Sequence, residues 1–94
     1  MADFVLAQWS KKMEKRLGFV GIVVENRKTA APKINEVLST YGEGIVARMG
    51  LPYRERHCSV ITLIVEMTTD ELGALTGTLG TIEGVSVKSA LTKS

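Results

Sequence analysis

The 94-residue sequence predicts an α+β sandwich in the order β-α-β-β-α-β, with four antiparallel strands and both helices on one face of the sheet. Three observations predict it. Two short runs rich in β-branched residues, LGFVGIVVE (17–25) and HCSVITLIVEM (57–67), are apolar on both faces, as strands in the middle of a sheet must be. Two other segments repeat apolar residues at helical spacing. Two further runs alternate and carry a charge, Arg48 or Lys88, which suits an edge.

Each element has its own local reason. After the first strand, Ala30, Ile34, Val37, Leu38 and Tyr41 recur at three, four and seven, so NRKTAAPKINEVLSTYG is a helix with one apolar face. Pro32 lacks an N–H and belongs in a first turn, which places the helix start near residues 29–31. Gly42 is a natural stop, because glycine reaches left-handed angles without strain. In GIVARMGLPY, Ile45, Ala47, Met49 and Leu51 alternate against Val46, Arg48 and Gly50, and Pro52 is expected to end the ladder.

Residues 54–57 form a hairpin tip before the second doubly apolar run. Thr68 and Glu71 then make a capping-box pattern, followed by a Leu72, Leu75, Leu79 stripe and a closing Gly80. In GVSVKSALTK, Val85, Val87 and Leu91 share one face of a last strand. Short right-handed connections leave the ferredoxin-like βαββαβ sandwich, with strand order 4-1-3-2, as the compact solution. Residues 1–14 read as an N-terminal leader, flexible or a short helix capped by Asp3 with Val5, Trp9 and Met13 in register. Residues 15–94 read as one domain.

Composition excludes several classes. The chain is 45% hydrophobic and 23% charged with a net charge of +2, which is ordinary globular protein without a strong electrostatic footprint for nucleic acid. No run reaches the roughly 18 apolar residues of a membrane span, so no membrane association is expected. A single Cys precludes an intrachain disulfide and fits a reducing, cytoplasmic setting. KKMEKR and RERH are basic, but no helix-turn-helix remains once the sandwich has taken its residues, and Phe19 alone is no RNA-stacking face. No direct nucleic-acid binding is expected.

With both helices on one side, Val20, Ile22, Val24, Ile61, Leu63, Val65 and Met67 face them, together with the apolar faces of the edge strands. The opposite face then carries Phe19, Val23, Val60 and Ile64 with Cys58, Thr62 and Gly21. So apolar a surface marks an interface. These residues, Phe19, Val23, Cys58, Val60 and Ile64, are the expected seam of a homo-oligomer, a dimer or tetramer.

Catalysis finds no support. His57 and Cys58 are adjacent in a strand and diverge, no carboxylate pair stands out, and GALTGTLG lies within a helix and lacks a P-loop lysine. Gly73 and Gly77 are expected to permit close helix packing. A metal site would need His57 and Cys58 from two subunits, and no metal or other cofactor is assigned. The loop Glu25, Asn26, Arg27 is the candidate ligand site. It joins the first strand to a helix N-terminus with both charges and an amide.

MEKRLGFVGIVVENR, INEVLSTYGEGIVARMGLPYRER and LGALTGTLGTIEGVSVKSAL together resemble the iron-only hydrogenase system regulators, a family of transcriptional regulators with an ACT-like, ferredoxin-like fold. The similarity runs from Met13 to about Leu91, and RMGLPYRE and the GxLxGxLGxIxGVxVK pattern over residues 73–88 are its most specific pieces. The resemblance implies a non-enzymatic regulator that senses a small-molecule effector or acts through a protein partner. A ligand-free interaction module and an inter-subunit metal sensor are its alternatives. Two departures matter. ACT ligand loops typically carry a glycine after the first strand, and ENRKTAAP has none. The nickel-responsive repressor uses several histidines and a cysteine, and this chain offers only His57 and Cys58.

Overall fold

A computed structural model describes residues 14–93. The helical leader read on Asp3, Val5, Trp9 and Met13 lies outside the described residues. The elements are β1 (Arg16–Val24), α1 (Arg27–Thr40), a 3-10 turn (Gly42–Gly44), β2 (Ile45–Tyr53), a second 3-10 turn (Arg54–Arg56), β3 (Cys58–Met67), α2 (Thr69–Gly80) and β4 (Val85–Leu91). The sheet is antiparallel in the order β2-β3-β1-β4, which is the order expected from the two doubly apolar runs.

The core lies between sheet and helices. Val20, Ile22 and Val24 of β1 and Leu63, Val65 and Met67 of β3 point at Ala30, Ile34 and Leu38 of α1 and at Leu72, Leu75 and Leu79 of α2. All are apolar, so their burial drives the collapse and leaves no polar group to satisfy. Helix α2 starts where its capping box predicts: Glu71 N–H donates to the Thr68 hydroxyl at 3.1 Å, and Thr68 N–H donates to Glu71 Oε1 at 3.0 Å.

Several local expectations are corrected. Helix α1 begins at Arg27, one turn ahead of Pro32, so the proline sits inside it. Ala30 N–H already bonds the Asn26 carbonyl at 3.1 Å, and Pro32 lies on the exposed side, where water can solvate the carbonyl that loses its partner. Gly42 does not turn left-handed. It continues into the 3-10 turn, and Gly84, with φ of 78°, is the one described glycine in that region. Gly73 and Gly77 lie on the exposed side of α2 with nothing near them, because the leucine stripe takes the packed face.

The largest correction concerns β2. A bulge between Ile45 and Ala47 breaks its register against β3. Ile45 opposes Val65 and faces the helices, but Ala47, Met49, Leu51 and Tyr53 oppose Ile64, Thr62, Val60 and Cys58. Opposed residues share a face, so this stripe lies on the open side, and Arg48, Gly50 and Pro52 turn toward the helices. Pro52 does not end the ladder either. It pairs with Ser59, and Tyr53 pairs with Cys58, because an edge strand can hold a proline whose missing N–H would point outward.

Candidate functional site

The open face follows from the register. Phe19 opposes Ile64 and Val23 opposes Val60 across β1 and β3. The bulge adds Met49 and Leu51 from β2 to the same side. Phe19, Val23, Met49, Leu51, Tyr53 and Ile64 are all exposed, and together they form one apolar surface across three strands. Strand β4 borders it with Ser86, Lys88 and Ala90, opposite Val23, Gly21 and Phe19. Cys58, a free thiol, is half-buried at one end of this face beside Tyr53.

At that same end the loop after β1 meets the β2–β3 hairpin. Glu25, Asn26 and Arg27 share a broad open depression of about 660 Å³ with Tyr53, Arg54, His57 and Cys58. The candidate ligand loop and the His57-Cys58 pair, read separately in the sequence, are therefore neighbours. Two details leave the loop polar groups available. Asn26 occupies the N-cap of α1 without making a side-chain cap, and the first turn of α1 holds no acidic residue. Glu25 N–H donates to the Gly84 carbonyl at 2.8 Å, which ties the loop to the turn before β4.

His57 has φ of 53°, and its N–H bonds the Arg54 carbonyl at 3.2 Å, closing the 3-10 turn at the hairpin tip. Left-handed backbone at His57 directs its side chain independently of the strand that starts at Cys58. Among the described residues no group of three or more His, Cys, Asp or Glu side chains is placed to hold a metal ion.

A second concavity lies on the helix side, between α1 and β2. It measures about 190 Å³ and is lined by Arg27, Asn35, Arg48, Gly50, Ser59 and Ile61, among others. The sequence reading missed Arg48, Gly50 and Ser59, because simple alternation puts Arg48 and Gly50 on the other face. The signal that could have found them is Gly50 itself, since a glycine within a strand often accompanies a bulge.

Comparison with known proteins places this geometry. The TM1266-like family, described as "Iron-only hydrogenase system regulator, putative", matches residues 16–89. The chain belongs to this family. The uncharacterised protein TM1266 from Thermotoga maritima is 42% identical with a TM-score of 0.82, over 85% of this chain and 100% of that one. The ACT domain of GTP pyrophosphokinase from Chlorobium tepidum is 22% identical with a TM-score of 0.69, over 81% and 99%. An unknown protein from Galdieria sulphuraria is 12% identical with a TM-score of 0.59, over 86% of this chain and 47% of that one. The last two likenesses concern the fold alone, and the fold is ACT-like. No curated protein matches the chain. Among the described residues no helix is long and apolar enough to cross a membrane.

Proposed function

We propose that this member of the iron-only hydrogenase system regulator family is a non-enzymatic regulatory module that works in the cytoplasm as a homo-oligomer. It responds to a small effector and passes that response to a partner that controls transcription. The observation that carries the reading is the open face. Phe19, Val23, Val60 and Ile64, flanked by Met49 and Leu51, are too contiguous and too apolar to remain in water.

The occupant we assign is a second copy, related by a two-fold axis that sets the same patch against itself. Four strands of seven to ten residues, at about 3.3 Å per residue and about 4.8 Å apart, offer on the order of 500 Å² per copy. Two copies then bury about the 1,000 Å² that a specific interface requires. The effector enters at the end of the sandwich, where Glu25, Asn26 and Arg27 surround the open depression.

Sedimentation velocity over a range of concentrations tests the pairing. The wild-type chain is expected to sediment as a dimer or tetramer, unchanged by chelator. Phe19→Asp, which places a charge opposite Ile64, is expected to yield folded monomer. A wild-type monomer at every concentration overturns the pairing and leaves the open face to a different protein. A chelator-dependent mass would instead favour a shared metal at His57 and Cys58.

A further inference from the structure

The cleft between α1 and β2 has the chemistry of a binding site, and its origin is the bulge. By inverting β2 after Ile45, the bulge brings Arg48 under α1, where its Nη2 donates to Asn35 Oδ1 at 2.9 Å. The same inversion turns Gly50 inward, opposite Ile61. A glycine there leaves open space, since a Cβ would meet nothing within 4 Å. For the same reason Ile61 is only half-buried although it lies on the helix side.

Ser59 forms part of the floor. It is 8% exposed and is the one buried polar residue among those described. Its hydroxyl is not shut away from solvent, since Arg16 Nε is the one fully buried side-chain polar atom left without a partner among the described residues, so the hydroxyl can be offered to a ligand in the cleft. Arg27 also lines the cleft. The lining thus holds two guanidinium groups and no carboxylate, over an apolar base of Val24, Ile34 and Ile61. Such walls create a positive potential that concentrates anionic ligands, and guanidinium suits a planar carboxylate through paired hydrogen bonds.

We propose that this cleft binds a small organic carboxylate with a short branched or linear apolar body. Its head meets Arg48, Arg27 and the Ser59 hydroxyl, and its body takes the space left by Gly50. A volume of about 190 Å³ is below the roughly 300–1,000 Å³ of pockets for drug-sized ligands, which limits the ligand to a small molecule. The inference deepens the effector reading through the shared Arg27, and it is independent of how the open face pairs.

Titration of the ¹⁵N-labelled full chain with isovalerate and with 2-oxoisovalerate, followed by amide chemical shifts, tests it. At least one is expected to shift Gly50, Ser59 and Ile61 saturably at millimolar concentration, while neutral isovaleramide does not. Gly50→Leu is expected to abolish these shifts. Arg48→Gln, an exposed edge substitution that retains the fold even if Gly50→Leu does not, is expected to weaken binding about tenfold. Equal shifts with isovaleramide, shifts that persist in both variants, or no saturable shift overturn the cleft. Shifts confined to residues 25–28 and 53–58 also overturn it, but they leave the effector reading standing at the open depression.

Discussion

Arg48 of the edge strand and Asn35 of α1 are joined by a 2.9 Å hydrogen bond from guanidinium to amide oxygen. The two are thirteen residues apart and meet only because the bulge after Ile45 turns Arg48 toward the helices. The contact itself is exposed and contributes about 1 kcal/mol at most. Its importance is positional: it holds one wall of the cleft in which Gly50 and Ser59 lie.

The bulge makes a direct prediction. Val46 is the extra residue and is 64% exposed. Its deletion would leave Ile45 opposite Val65 and Ala47 opposite Ile64 in one regular ladder. The variant is therefore expected to fold, with stability changed by about 1 kcal/mol or less. Cross-strand NOEs for those two pairs and a thermal melt check it; loss of the β2–β3 pairing would show that the bulge sets more than the register.

Gly18 and Gly73 should respond oppositely to alanine. A Cβ at Gly18 would collide with the Ala90 carbonyl oxygen and come within 2.6 Å of Leu91 Cδ2, and a backbone atom cannot give way as a side chain can. Gly18→Ala is expected to cost about 1–3 kcal/mol, more than the entropy it saves in the unfolded chain. Gly73 lies in α2 with open space around it, so Gly73→Ala is expected to gain about 1 kcal/mol. Urea midpoints of the two variants decide this.

Leu75 is fully buried beneath the sheet, at the centre of the α2 stripe. Leu75→Ala leaves a cavity as well as losing burial, and is expected to cost about 2–5 kcal/mol. Met49→Ala is the contrast. Met49 is 68% exposed on the open face of one copy, so its loss should leave the unfolding of a dissociated chain almost unchanged. A matching large loss at Met49 would mean that folding and assembly are inseparable.

The capping box of α2 carries a pH dependence. Glu71 is held below the usual carboxylate range, first by its bond from the Thr68 backbone N–H; burial opposes this, and the Thr68 hydroxyl and the nearby Lys15 charge add lesser lowering effects. A depressed folded-state carboxyl stabilises above its unfolded pKa, and that stability is lost as pH falls through the folded value. Wild type should thus lose a small increment of stability on acidification that Glu71→Gln does not. Thr68→Ala should cost about 1 kcal/mol near neutrality. Denaturation of the three proteins across the acidic range measures both effects.

Much of the fold was legible in residue order. Val20, Ile22, Val24 and Leu63, Val65, Met67 lie in runs apolar on both faces, and such runs can only be interior strands. Thr68 and Glu71 state a helix start in two residues. Gly42 and Pro32 misled, because each was read for its own backbone preference. A 3-10 turn satisfied the carbonyls after α1 without a left-handed glycine, and solvent tolerated the proline.

The candidate sites divide along the same line. That Phe19, Val23, Val60 and Ile64 share a face follows from alternation within two central strands, and the pairing of Phe19 with Ile64 preserves it. The amino-acid order alone thus determined the element sequence, the core residues and the apolar character of the uncovered face, because these depend on periods of two and 3.6 along the chain. The chain order could not decide which way β2 presents its two sides. One unpaired residue inverts every side chain beyond it, and only hydrogen-bond register against β3 shows where that residue lies. The tertiary structure therefore placed Met49 and Leu51 on the open face, and brought Arg48, Gly50 and Ser59 together under α1.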